Sequence, residues 1–331
     1  MEPKPGTEEY RKKHIKEMQA WPLDKKINHS LKRIREFYEH VEGKVYVAFS
    51  GGKDSTVLLH LVRSLYPDVV AVFSNTTNEL PEILDFVRTV DNVITVHPKK
   101  TFNQTLKEYG FPLVSKQISK ATNTVKYKSD KNANTAKLYE TGYSKNGRHM
   151  PWYKISDKWM FLVNEMFNTT NKCCDILKKE PSIRFEQESG LFCIMGTMAT
   201  ESDRRKADWV SSGCNNFGAL RKTSKPLSIW TEEDIWEYIR RFNVPYSSAY
   251  DDVYDENGKL ICKGEKRTGC AYCGFGAHLE KDELGMNRFQ RLSIRKPKQY
   301  ETMMKKENNG VTFEEALNKV GVKTRVKKRL F

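Results

Sequence analysis

No stretch of this 331-residue sequence approaches the roughly 20 consecutive apolar residues that a membrane-spanning helix needs. Its first residues, Met1 to Lys13, are charged and lack the apolar segment of a secretory signal. No membrane association is expected, and a cytoplasmic location is. Acidic residues run short: 42 Asp and Glu face 57 Lys and Arg, leaving a net charge of +15. The deficit is local. Many Lys and Arg but few acids lie between Lys116 and Lys158, and the tail Lys323-Thr-Arg-Val-Lys-Lys-Arg329 is basic as well. A merely solvated, Lys-rich surface explains an even excess; a concentrated one favours a polyanionic partner such as nucleic acid. Cysteines number seven, and an odd count argues against a disulfide framework. No internal repeat is present.

What is there suffices for an ordinary core: 38% of residues are hydrophobic and the chain is long, despite a mean hydropathy of −0.69. Length suggests two domains, or one large α/β domain with an appendage. Ile27, Leu31, Ile34 and Phe37 recur at helical spacing and predict a helix from Leu23 to His40. Then the pattern changes. Val45-Tyr-Val-Ala-Phe49 reads as a buried strand, followed by Gly51, Gly52 and a helix from Ser55 to Leu65. Val69 to Phe73 and Val93 to Val96 read as further strands, with a helix from Pro81 to Val90 between them. Strand and helix alternate, which indicates parallel βαβ units. A fourth strand spans Leu191 to Met195, and Thr231 reads as the N-cap of a helix carrying Ile235, Tyr238, Ile239 and Phe242 on one face. Lys126 to Arg148 is polar and reads as a loop or mobile insertion. The expected divisions are an N-terminal helical extension (1–43), a nucleotide-binding domain (44–240) with a basic insertion at about 115–165, and a loop-rich, Cys-containing, helical region (241–331).

Ser50-Gly51-Gly52-Lys53-Asp54-Ser55 sits between the first strand and its helix. Glycines let the backbone turn sharply and approach a ligand. Free N–H groups at a helix start, aided by the helix dipole, then face an anion. Lys53 adds positive charge, and Ser50 and Ser55 add hydroxyls. An ordinary Gly-Gly turn would not need Lys-Asp-Ser inside it. The spacing is neither that of the Walker A loop nor Gly-x-Gly-x-x-Gly.

The loop resembles the PP-loop of the ATP pyrophosphatase-like superfamily. Gly196-Thr-Met-Ala-Thr-Glu201-Ser202-Asp-Arg204-Arg205 is similar to that family's Gly-x-Arg-x-x-Glu-Ser-x-x-Arg. Lys225-Pro-Leu-Ser-Ile-Trp230-Thr-Glu-Glu-Asp234-Ile-Trp236, with Pro245-Tyr246 to Tyr250-Asp251, resembles phosphoadenylyl-sulfate (PAPS) and adenylyl-sulfate (APS) reductases. The likeness spans roughly residues 40–280, with an unmatched insertion near 120–160. It implies a doubly wound, mostly parallel α/β fold with an adenine nucleotide, ATP or a relative, at the carboxyl ends of the strands. It also implies roles: the loop for phosphates, Asn75 and Thr76 for adenosine, Gly196, Arg204 and Arg205 for phosphate or sulfate. Met198 stands where the family has an arginine.

Cys173-Cys174 and Cys270-Ala-Tyr-Cys273 need a metal or redox explanation. Adjacent cysteines are unusual for one tetrahedral Zn, whose ligands come as C-x₂₋₄-C. A cube with several iron corners accepts them more readily. Cys173-Cys-Asp-Ile-Leu-Lys178-Lys179-Glu-Pro181 is similar to the cluster motif of bacterial and plant APS reductases, which implies a [4Fe–4S] group on Cys173, Cys174, Cys270 and Cys273. Zinc is the alternative. Cys193 reads as core, and Cys214 and Cys262 as free loop thiols.

Sulfonucleotide reductases carry a nucleophilic cysteine in a C-terminal Glu-Cys-Gly-Leu-His tail, whereas the present sequence has no cysteine after Cys273. The leading expectation is therefore the superfamily's other chemistry: ATP cleavage between the α- and β-phosphates, then thiolation of a nucleic acid. Lys53 would stabilise the departing pyrophosphate. Mg²⁺ would bridge phosphates, through Asp54. Lys116, Lys120, Lys126, Lys128 and Arg148 would follow a phosphate backbone. A sulfur donor such as a cysteine desulfurase or a thioredoxin-type protein would be a partner. The alternatives are PAPS or APS reduction to sulfite, and a nucleotide-binding module without turnover in a nucleic-acid-modifying complex.

Overall fold

The structure is a computed structural model that describes residues 4, 6–250, 264–265 and 268–326 in full, with the backbone alone at 252–254 and 260–262. Asp251, the Cys262 side chain and the basic tail beyond residue 326 fall outside the described residues.

In chain order the first ten strands are β1 (Val45–Phe49), β2 (Ala71–Ser74), β3 (Val93–Val96), β4 (Leu113–Val114), β5 (Phe192–Met195), β6 (Asn215–Asn216), β7 (Thr223–Ser224), β8 (Asp252–Tyr254), β9 (Leu260–Cys262) and β10 (Gly274–Phe275). A six-stranded sheet has the order β3-β2-β1-β5-β7-β6. All its pairings are parallel except β6 with β7, the antiparallel edge. β1 lies at the centre, where Val47 is registered with Ala71 on one side and Ile194 on the other. A parallel strand covered on both faces reads as an unbroken apolar run, and that is why β1, with Val45, Tyr46, Val47 and Phe49 buried, was legible. The fold is thus α/β with a mostly parallel sheet, as expected.

The chain forms two compact units. Unit 1 comprises Met1–Asn75, Glu79–His97 and Pro181–Gly269; unit 2 comprises Thr76–Asn78, Pro98–Glu180 and Cys270–Phe331. This division differs from the one expected at residues 43 and 240. In unit 1 the helices α1 (Glu8–Gln19) and α2 (Leu23–His40) are part of the core rather than an extension. Ile34 and Phe37 of α2 are fully buried. Ser30 Oγ donates to Pro226 O at 2.9 Å and accepts from Trp230 Nε1 at 2.9 Å. Lys26, itself buried, pairs with Asp234. The remaining helices named here in unit 1 are α3 (Lys53–Leu65), α4 (Pro81–Arg88) and Glu232–Phe242, which Thr231 caps through a reciprocal capping box with Asp234.

Unit 2 joins distant stretches of chain. β4 pairs in parallel with β10. Phe111 stacks on Phe313 at 5.1 Å, and Asn308 Nδ2 donates to Leu106 O and Lys107 O at 3.1 and 3.0 Å. The stretch 126–148, expected as a loop or mobile insertion, is ordered. It contains the helix Ala133–Thr141, which follows Lys116–Lys126. Ala121, Tyr139 and Ile155 form a buried cluster between them. Polar composition hid this helix, because only Ala136 and Tyr139 of its nine residues are buried. No helix among the described residues is long and apolar enough to cross a membrane.

Candidate active site

In unit 1 the chain leaves β1 at Phe49 and enters α3 at Lys53 through a turn in which Gly51 has φ +70°. A Cβ on Gly51 would lie 2.8 Å from Ile83 Cγ2 and Val87 Cγ2 of α4, so only glycine fits. The hydroxyls bind the turn internally. Ser55 Oγ accepts from Ser50 N at 3.1 Å and donates to Gly52 O at 2.8 Å, and Gly52 N donates to Ser50 Oγ at 3.3 Å. The first N–H of α3, on Lys53, donates to Tyr250 Oη at 2.9 Å. Tyr250 Oη in turn lies 2.8 Å from Thr268 Oγ1. Gly196, just past β5, lies against the same helix: a Cβ there would meet Asp54 O at 3.0 Å.

Charge is concentrated beside the turn. Lys53 is buried, with Nζ 3.2 Å from Glu232 Oε1 and 3.6 Å from Asp54 Oδ1. It lies 5.5 Å from the Tyr250 ring centre and 5.9 Å from that of Trp236. Burial opposes the charge on Lys53, but Asp54, Tyr250 and Glu232 outweigh it and hold the ammonium more firmly protonated than usual. Burial pushes the Asp54 carboxyl up; Lys53 pulls it down, while Glu201 and Glu232 push it further up. Asp54 Oδ1 is buried and accepts no hydrogen bond. Among the described residues its one cation is the Lys53 ammonium at 3.6 Å, and the chemistry of that oxygen suits Mg²⁺.

The other residues singled out in the sequence fall in several places. Asn75 N donates to Val96 O at 3.0 Å, extending β2 alongside β3. Thr76 belongs to unit 2, where it is fully buried with Oγ1 3.8 Å from Cys270 Sγ. Arg204 and Arg205 lie on the first turn of the helix Asp203–Ser212; both are exposed, and Arg205 pairs with Glu201. Met198 is buried, and its N–H donates to Glu201 Oε1 at 2.9 Å. Sequence reasoning did not assign Glu232, Trp236, Tyr250 or Thr268 to the loop's surroundings. The available signal was that all but Thr268 lie in segments quoted for the resemblance.

In unit 2 the four cysteines are neighbours. Cys173 and Cys174 form the helical turn Lys172–Cys174, which runs into the π-helical segment Asp175–Lys179. Such segments recur at functional sites because they reorient side chains within a helix. Cys270 and Cys273 lie on a turn closed by Cys273 N donating to Cys270 O at 3.2 Å. Asn78 fixes that turn, its backbone O accepting from Ala271 N at 2.7 Å and its Oδ1 from Tyr272 N at 3.1 Å. Cys173 interacts electrostatically with Cys174, Cys273 and Cys270, and Cys273 with Cys270 and Cys174. The hydrogen bond with Cys173 pulls the Cys174 thiol down, helped by Lys116 and Lys178. Burial pushes Cys273 up to about 11, opposed by Arg288, which also donates from Nη1 to Cys273 O at 3.2 Å. Among the described residues, no three His, Cys, Asp or Glu side chains converge as ligands of a metal ion would.

Cys214 is a free thiol in a loop, as expected, but it is buried, with Sγ 3.7 Å from His29 Nε2. One further expectation is corrected. Lys126 is occupied structurally: its Nζ donates to Glu165 O and Phe167 O at 2.6 and 3.0 Å, so it does not reach outward for a phosphate.

A central parallel strand, a Gly-Gly-Lys-Asp-Ser turn and a helix start together define an α/β protein of PP-loop type. The chain belongs to the phosphoadenosine phosphosulfate reductase domain family, whose sequence profile matches residues 44–137 and 149–265. The unmatched stretch is thus 138–148, shorter than the 120–160 expected. An uncharacterised protein of Methanocaldococcus jannaschii is 25% identical over 238 residues, which are 69% of this chain and 38% of that protein. The adenosine 5'-phosphosulfate reductase of Staphylococcus haemolyticus is 24% identical over 230 residues, which are 68% of this chain and 72% of the reductase. The chain therefore spans well under half of the first relative. The U34-tRNA thiolase of Methanococcus maripaludis, solved with its [4Fe-4S] cluster, superposes with a TM-score of 0.35 at 16% identity, covering 67% of this chain and 66% of that one. So low a score bears on neither fold nor function.

Proposed function

We propose that the protein is an ATP-dependent sulfurtransferase that thiolates a nucleic acid, with its nucleotide in the PP-loop of unit 1 and a [4Fe–4S] group on Cys173, Cys174, Cys270 and Cys273 of unit 2. The gathering of those four thiols, remote in sequence, carries the reading. Three cations, Lys116, Lys178 and Arg288, act on the same thiols and suit an anionic tetrathiolate group. A cube takes its four sulfur ligands at separate corners, so it does not require the convergence of donors that zinc does. When bound, the cluster would supply iron, a soft partner for the incoming sulfur.

The chain's own residues account for the nucleotide step. Phosphate oxygens would lie at the turn, where the N–H groups of Gly52 and Lys53 would exchange Ser50 Oγ and Tyr250 Oη for them, and Lys53, held charged, neutralises what develops on the leaving group. Asp54, whose Oδ1 accepts no hydrogen bond, would hold the magnesium of Mg·ATP. An acceptor oxygen attacks the α-phosphorus, the bond to the β-phosphate breaks, and pyrophosphate leaves with the electron pair. Hydrosulfide from a donor protein then displaces AMP, and the acceptor oxygen departs with it.

One observation favours a second reading, reduction of APS or PAPS: the named relative from Staphylococcus haemolyticus is an adenosine 5'-phosphosulfate reductase. Two assays on anaerobically purified protein separate the readings. Pyrophosphate release from Mg·ATP, stimulated by nucleic acid, is expected. Sulfite from APS or PAPS with thioredoxin, and no pyrophosphate, would replace the sulfurtransferase with a reductase. ATP binding lost in Lys53→Ala, with no product in either assay, would leave a binding module.

A further inference from the structure

We propose that the hairpin at residues 142–150 and the turn Pro151–Tyr153, both in unit 2, bind a single-stranded segment of nucleic acid by base stacking. The proposal rests on the nucleic-acid substrate inferred above and names the surface that holds it. The hairpin is well made. Tyr143 and His149 form an antiparallel bridge, Ser144 N donates to Arg148 O at 2.9 Å, and Met150 N donates to Gly142 O at 2.6 Å. Ile155 N donates to Tyr139 O at 2.8 Å, and Gln117 Nε2 donates to Trp152 O at 2.7 Å, so the following turn is tied to both neighbouring helices.

This rigid base presents aromatic rings to water. Trp152 is 60% exposed, Tyr143 46% and Tyr153 37%. Tyr143 is stacked on His149 with centroids 4.7 Å apart, and Trp152 lies 6.2 Å from Tyr153. Large rings are rarely left in solvent in a group unless something covers them. The covering partner is anionic, because the surrounding charge is one-sided. Residues 116–158 hold ten Lys and Arg against three Asp and Glu. Lys145 and Arg148, on the hairpin itself, are exposed and make no ion pair among the described residues. Flat rings interleaved with free cations match a strand whose bases are unstacked and whose phosphates run alongside. A duplex offers the phosphates but keeps its bases stacked inside. The family profile leaves residues 138–148 unmatched, a stretch that holds Tyr143, Lys145 and Arg148, whereas His149, Trp152 and Tyr153 fall within its second matched segment.

Fluorescence anisotropy of the full chain, without ATP, tests this with labelled RNA and DNA single strands of about 15 nucleotides and their duplexes. Single strands are expected to bind at least about tenfold more tightly than duplexes, and Trp152→Ala to weaken that binding about tenfold or more. Trp152→Phe, which keeps a stacking ring, should retain most of the affinity and shows that a loss in Trp152→Ala is not misfolding. Lys145→Gln with Arg148→Gln should reduce the slope of log affinity against log salt by about 1.4. Equal binding of duplex and single strand, or an unchanged Trp152→Ala, overturns the proposal. The readouts are independent of turnover. Stacking-dependent binding without thiolated product would sink the sulfurtransferase and leave the docking surface, and thiolation indifferent to Trp152→Ala would do the reverse.

Discussion

Asp54 shows how one half-buried carboxylate makes stability depend on pH. Its folded-state pKa is raised, chiefly by burial, so the folded protein binds a proton there more readily than the unfolded chain does. Stability from this group is full below the unfolded pKa and is lost as pH rises through the folded one. At pH 7 the desolvation of the charged carboxylate is offset only in part by Lys53. Asp54→Asn removes that titration but also the carboxylate that helps hold Lys53 charged, so the variant's melting temperature should fall less than the wild type's as pH rises from about 4 to 7. The same variant should lose magnesium-dependent nucleotide cleavage, which pyrophosphate assays beside the thermal melts will read. Lys53→Ala should weaken ATP binding by at least about tenfold, since it removes the only buried cation beside the turn among the described residues and leaves Asp54 facing Glu201 and Glu232 alone. Equilibrium binding measures this directly, and unchanged affinity would remove Lys53 from the site.

At the scale of elements, the turn between β1 and α3 depends on α4 behind it. Gly51→Ala would place a methyl 2.8 Å from Ile83 and Val87 at a positive φ, and should destabilise the protein by about 1–3 kcal/mol in urea titrations. The docking of α2 is a second such dependence. Lys26→Ala would leave Asp234 without its buried cation, a loss of about 3 kcal/mol by the usual cost of breaking a buried pair. Were the N-terminal helices a detachable extension, that substitution would leave the denaturation midpoint unmoved. Strand and helix identity in unit 1 was legible because each element repeats its period in apolar residues. The bounds moved by a residue or two, as with β2 at Ala71–Ser74 and α3 beginning at Lys53. The helix Ala133–Thr141 was not legible, since two buried residues in nine make no periodic signal against a Lys- and Asn-rich background.

Over the whole molecule, unit 1 contains the glycine turn after β1, and unit 2 the four thiols and the basic insertion. Protein purified without oxygen should contain about four iron and four sulfide per chain, with an absorbance shoulder near about 400 nm. Cys270→Ser should lower that iron content sharply while ATP binding in unit 1 persists. One zinc and no sulfide would instead give the thiols a structural metal. The net charge of +15 implies that any nucleic-acid affinity falls steeply with salt.

By itself the sequence determined the local parts: the central apolar strand, the glycine turn after it, the Thr231 cap, and two pairs of cysteines. Each is fixed by residues within a few positions of one another, so composition and period suffice. Tertiary structure alone decided which distant parts meet. It set Tyr250 and Glu232 beside Lys53, and Thr76 beside Cys270. It brought Cys173 and Cys174 to the turn of Cys270 and Cys273, and made the N-terminal helices part of unit 1. Such contacts span a hundred residues or more of chain. They are set by how the burial of apolar faces folds the chain back on itself, which no local pattern records.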